Sequence, residues 1–199
     1  MEPTKENIIK AHSIAKETGA DSTYKVLEAL YPDIDFTPQD NRPITERVKT
    51  FEDACAVLGE DHLYVQMFRD IYNKSEKAGA NVNIDVVAYL KLRVVCAALN
   101  EGWEPQHTED EVRYYPWHWL YTQDEINDMD CDERNDRCMM SVGEYETQYS
   151  GFAYARSGRA PSRANAHLGS RLCLKSHDLA IYCGKQFIDL WADFKLIRR

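Results

Sequence analysis

No stretch of this 199-residue chain approaches the ~18 consecutive apolar residues that a membrane-spanning helix needs, so no membrane association is expected. The N-terminal run MEPTKENIIKAHSIAKETG interleaves charges with single apolar positions and lacks the continuous hydrophobic region of a secretory signal; a cytoplasmic protein is the expectation. Closely spaced cysteine pairs are missing too. The six cysteines, at 55, 96, 131, 138, 173 and 183, are scattered, which argues against a small secreted disulfide scaffold. The chain has no Walker loop, no dinucleotide fingerprint and no H-E-x-x-H pair. No cofactor is expected, and an enzyme is disfavoured.

Hydrophobic residues make up 44% of the chain and aromatics 11%, enough to build a substantial core and to set it apart from disordered sequences. The formal net charge of -9 opposes wholesale coating of DNA or RNA, which requires a basic surface to neutralise phosphates.

Three weak chemical patterns remain. Asp128, Asp130 and Asp132 alternate as at the opening of a calcium loop, but Glu133 stands where that loop needs a glycine and Met139 where it needs a bidentate glutamate. A solvated acidic loop is expected instead. Cys131, Cys138, His167, Cys173, His177 and Cys183 supply zinc-ligand types without the short spacing that sets two ligands on one turn. Cys173, His177 and Asp178 are the one close nucleophile grouping, with no glycine-rich elbow beside them; Asp178 is explained by a helix start.

Periodicity organises the rest. Ile8, Ile9, Ala11, Ile14 and Ala15, then Tyr24, Val26, Leu27 and Leu30, predict a helical hairpin broken at Gly19, with Asp21 or Ser22 capping its second helix. YPDIDFTPQDNRP reads as a linker. Three parts follow: a helical arm over 1–32, a linker over 33–44, and a remainder over 45–199. In that remainder, Thr45 is expected to cap a helix carrying Val48, Phe51, Cys55 and Leu58; a second helix runs from His62 to Lys74, and a third, apolar almost all round, ends at Asn100.

Beyond it, EVRYYPWHWLYT alternates so that Tyr115, Trp117, Trp119 and Tyr121 share one side of a strand, which Pro116 makes an edge strand or an irregular one. That aromatic side is expected to pack as core rather than serve as a stacking platform. Residues 123–148 read as a long acidic loop. Two strands, 150–157 and 166–175, are expected to pair around a turn at 158–162, and Ser176 to cap a last helix. The fold class is α+β: an N-terminal helical part, then a small antiparallel sheet packed by a C-terminal helix.

Residues 149–176 contain five basic residues and no acidic one. SGFAYARS partly matches an RNA-recognition strand, but departs from it at the first basic residue, at Ala155 and at Ser157. What survives is physical. Phe152 and Tyr154 on alternate positions, with Arg156, Arg159, Arg163 and Arg171, make a candidate single-strand nucleic-acid site.

The segments ALNEGWEP, RYYPWHWLYT, SGFAYARS and HLGSRLCLKSHDLAIYCGKQFIDLWADF, within residues 95–199, resemble a group of uncharacterised proteins encoded by phages and prophages of gut anaerobic bacteria. The resemblance implies a phage or mobile-element context, in the host cytoplasm or the virion, and transfers no catalytic or ligand residue. The function expected is non-enzymatic: binding of a protein partner, or self-association through the helical arm. Single-stranded nucleic-acid binding through 149–176 is the alternative, and an enzyme with an unidentified site the third.

Overall fold

The computed structural model describes residues 3–36, 40–78, 83–106, 108, 110–161 and 170–198, with backbone alone for 75–78, 160, 161 and 170. The chain divides into two compact units, Met1–Arg42 and Pro43–Arg199.

In the first unit, α1 (Lys5–Glu17) and α2 (Asp21–Leu30) form a hairpin that turns at Gly19, whose φ of 71° suits a residue without a Cβ. Thr4 caps α1. Ala20, not Asp21 or Ser22, stands at the start of α2 and offers no side-chain cap. His12 is buried: its Nε2 lies 2.9 Å from Glu28 Oε1 and its ring stacks on Phe36 at 4.3 Å. Two short helices bury little apolar surface, and this stacked and hydrogen-bonded histidine lies between them.

The second unit is α+β. The expected helix after the linker is broken in two, α3 (Ile44–Arg47) and α4 (Phe51–Leu58). Thr50 and Asp53 form a reciprocal capping box, which starts a new helix where a continuous one is expected from Thr45. α5 spans Leu63–Ala78, and α6 (Ile84–Asn100) runs through the core with Leu92, Val94, Val95, Ala98 and Leu99 fully buried.

The sheet has the order β1-β3-β2, all antiparallel: β1 (Val112–Tyr121), β2 (Met140–Ser141) and β3 (Gly151–Pro161). Here the structure corrects the expected hairpin. β3 pairs along its length with β1; of the expected partner strand, residues 166–169 lie outside the described residues, Ser170–Leu172 form a 3-10 turn, and Leu174 makes a single bridge to Tyr114. The long acidic loop is also corrected, since it contains α7 (Gln123–Asp128) and α8 (Cys131–Asp136), capped by Thr122 and Asp130. Asp130 and its neighbours thus serve helix starts, where negative charge is favoured. The last helix is split at Phe187 into α9 (His177–Gln186), capped by Ser176 as expected, and α10 (Ile188–Lys195). α9 packs on β1 and β3, and α10 packs on α6.

Asn100, at the end of α6, holds the 173–175 segment in place. Its Nδ2 donates to the Cys173 carbonyl at 3.0 Å and its Oδ1 accepts from the Lys175 N–H at 3.0 Å. Asn100→Ala leaves both backbone groups without this partner, so it is expected to lower stability by about 2–3 kcal/mol. A denaturant midpoint unchanged from wild type would refute that role.

Candidate functional site

A β-bulge sets which side chains face outward. Between Trp117 and His118 the register shifts, so Trp117 sits opposite Arg156 and His118 opposite Tyr154, leaving Ala155 as the extra residue. Residues directly opposite share a face of the sheet. The inner face, beneath α9 and α10, therefore carries Pro116, His118, Leu120, Phe152 and Tyr154. The outer face carries Tyr115, Trp117, Trp119 and Tyr121 on β1, opposite Gly158, Arg156, Ala153 and Gly151.

The expectation for the aromatic row holds only in part. The row lies on the outer face, with Tyr121 buried, Tyr115 and Trp117 half-buried and Trp119 55% exposed. The small residues of β3 allow the large rings of β1 to lie across it. A Cβ at Gly158 would meet Trp117 Nε1 at 2.3 Å and Tyr115 Cε2 at 2.9 Å, so the two rings cover that backbone directly. Arg156 completes the surface, with its guanidinium carbon 5.1 Å from the Trp117 ring centroid. At its other end the face is covered: Ile126 of α7 and Met139 crowd Gly151, and Tyr121 is buried with its hydroxyl 3.4 Å from Arg137 Nη1.

The residues expected to form one nucleic-acid site are separated. Phe152 and Tyr154 are buried on the inner face, with Phe152 stacked on His118 at 4.8 Å, so neither ring is open to a base. Arg156 is exposed on the opposite face because the extra Ala155 reverses the alternation. Arg159 is exposed opposite Tyr114; Arg171 is exposed in the 3-10 turn and lines a separate cavity with Trp103 and Tyr64; Arg163 lies outside the described residues.

Beneath the sheet lies a pair that sequence reasoning missed. The His118 ring is held between Phe152 and Trp191, with Nε2 3.0 Å from the Gly184 carbonyl and Nδ1 3.0 Å from Lys195 Nζ. These partners fix the neutral tautomer, with Nε2–H donating to the carbonyl and Nδ1 accepting from the amine. Burial, and then the Lys195 charge, push His118 down to about 3. Burial likewise lowers Lys195 to about 8. The sequence signal for Lys195 is its position four residues after Trp191, on the stripe that carries the helix's apolar side chains. For His118 it is the strand row Tyr114, Pro116, His118 and Leu120, which is less apolar than the row it displaced.

The weaker clusters do not converge. Cys173 is buried, and burial pushes its thiol up to about 11, away from a nucleophilic thiolate. His177 and Asp178, 3.6 Å apart, are solvent-exposed at the start of α9. Cys96 and Cys183 are buried core thiols, and the interaction with Cys183, then burial, raises Cys96. Cys131 is exposed on α8. Among the described residues no group of three or more His, Cys, Asp or Glu side chains could hold a metal, and no helix is long and apolar enough to cross a membrane. No protein-family model, curated protein or solved structure matches this chain.

Proposed function

We propose that this chain is a non-enzymatic binding protein that recognises a protein partner through the outer face of its sheet. The observation that carries this reading is the surface of Tyr115, Trp117, Trp119 and Arg156, in which Tyr115 and Trp117 are half-buried and Trp119 is 55% exposed. Trp, Tyr and Arg dominate binding energy at protein interfaces, because each removes a large area from water at low entropic cost. Phage or prophage context is part of the proposal and rests on the resemblance of residues 95–199 alone.

Electrostatics favour a protein over a nucleic acid. The helices bordering this face, residues 123–137, hold seven acidic residues and two basic ones. Such a lip repels a phosphate backbone and attracts a partner that presents basic side chains around an apolar centre. The alternative of single-stranded nucleic acid now rests on Trp119 and Arg156, with Arg159 on the other side of the strand.

The test replaces Tyr115, which lies beside Trp117, with a photo-crosslinking amino acid in the full chain expressed in its bacterial host cell. A discrete protein adduct that disappears in Trp119→Ala and Arg156→Glu is the expected result. Labelled single-stranded DNA and RNA, titrated at two salt concentrations, are expected to show no binding. Salt-sensitive binding lost in Arg156→Glu would replace the protein reading with the nucleic-acid one, and absence of any discrete adduct would overturn it.

A further inference from the structure

Lys195 belongs both to the buried pair with His118 and to a cavity of about 610 Å³, where it is joined by Asn83, Ile84 and Asp85 at the start of α6 and by Asp193 and Arg198 at the end of α10. Its amine has an unusual set of neighbours. Nζ is 3.0 Å from the Nδ1 of a neutral histidine and 4.9 Å from the centre of the Trp191 ring, and among the described residues no carboxylate lies within ion-pair distance. Two nearby acids are engaged elsewhere: Asp193 accepts from the Tyr145 hydroxyl at 2.7 Å and faces Arg198 at 3.6 Å, and Glu144 pairs with Arg198, while Asp85 lines the cavity at the start of α6 without an ion pair to Lys195.

A lysine amine set against a tryptophan ring and a neutral histidine, without an ion-pair partner, is the arrangement that frees an amine for attack on a carbonyl carbon. We propose that Lys195 is a covalent capture site for small carbonyl compounds that enter this cavity. The Nζ lone pair forms a bond to the carbonyl carbon, and the carbonyl oxygen takes up the proton that Nζ gives away. A second proton, taken from solvent, lets the hydroxyl leave as water, and a protonated imine remains, so atoms, charge and electrons balance with no oxidant or reductant. His118 is a positioning residue: its Nδ1 lone pair directs one N–H of the amine, and its own Nε2–H is committed to Gly184.

The amine's depressed pKa of about 8 leaves roughly two orders of magnitude more free base near neutral pH than an ordinary lysine holds. Among the described residues, the Cys183 thiol of α9 also acts on it, and Asp85, Asp193 and Arg198 share its cavity. This capture site lies on the opposite side of the sheet from the binding surface and does not depend on it.

The test treats the folded full chain with acetaldehyde and cyanoborohydride between pH 6 and 10, then maps ethylation of each lysine by peptide mass spectrometry. Lys195 is expected to label at least tenfold faster than the exposed Lys74 at pH 7.5, with a half-maximal rate near pH 8. Labelling no faster than Lys74, or a midpoint above pH 9.5, would overturn the proposal.

Discussion

Gly184→Leu is expected to abolish the fold of residues 43–199. Gly184 lies in the middle of α9, where glycine costs about 1 kcal/mol relative to alanine, so a packing reason must outweigh that loss. The reason is contact with the sheet. A Cβ at this position would stand 2.5 Å from Pro116 Cβ and 2.8 Å from Tyr154 Cδ2. Neither neighbour can retreat: one is a rigid ring in the β1 backbone, the other a buried ring against the helix. Displacing α9 also breaks the Gly184 carbonyl's bond with His118, which fixes the histidine over Trp191. Overpacking of this kind costs about 1–3 kcal/mol for one methyl group, and leucine adds three more carbons. Gly184→Ala should therefore lower the melting temperature by about 2–10 °C, at ~2–4 °C per kcal/mol for a domain of this size. Near-UV circular dichroism during a thermal scan reads both variants. An unchanged melting temperature in Gly184→Leu would mean that helix and sheet do not touch there.

A glycine within a helix pattern signals close backbone approach, and Gly184 carries that signal in the sequence without naming the strands it meets. Also legible were features that a few neighbouring residues decide: the Ser176 cap, the broken helical hairpin at Gly19, and the buried stripe of α6. What escaped was decided at a distance. Nothing near Gly151 announces that its partner strand is Val112–Tyr121 and not the segment that follows; pairing is settled by which surfaces can be buried together. The single extra residue, Ala155, then reverses the side on which Arg156 lies relative to Tyr154. Alternation applied from Phe152 onward places all three side chains together, and this is why the candidate site divided into a buried part and an exposed part. The aromatic row faces outward for a related reason. Tyr115, Trp117 and Trp119 have the composition of a core, but the opposite row carries the proline that meets Gly184 and the histidine that meets Lys195.

The second large effect is on acid stability. Burial and the Lys195 charge hold His118 down to about 3 in the folded state, whereas an unfolded histidine titrates near 6.5. Between those values the unfolded chain binds a proton that the folded chain does not, so stability falls as pH falls, by up to ~1.4 kcal/mol per pH unit. Integrated over the interval, the loss is on the order of 5 kcal/mol, a large share of the ~5–15 kcal/mol that holds a domain together. Lys195 acts with the same sign in another window. Its folded value of about 8 lies below the ordinary lysine value of 10.5, so stability increases as pH rises from 8 to 10.5. The carboxylates do not confuse the acid limb above pH 4.5. Glu101, held low first by its bond from Lys175, loses its contribution only as pH falls below its ordinary range. Denaturant midpoints measured from pH 7 to pH 4.5 should therefore decline steadily. In His118→Gln, whose amide can still donate to the Gly184 carbonyl, the starting midpoint is lower but the decline is shallower. A wild-type midpoint that stays flat between pH 6.5 and 4.5 would show that His118 titrates in the folded protein as it does in the open chain, and that the pair with Lys195 is not buried.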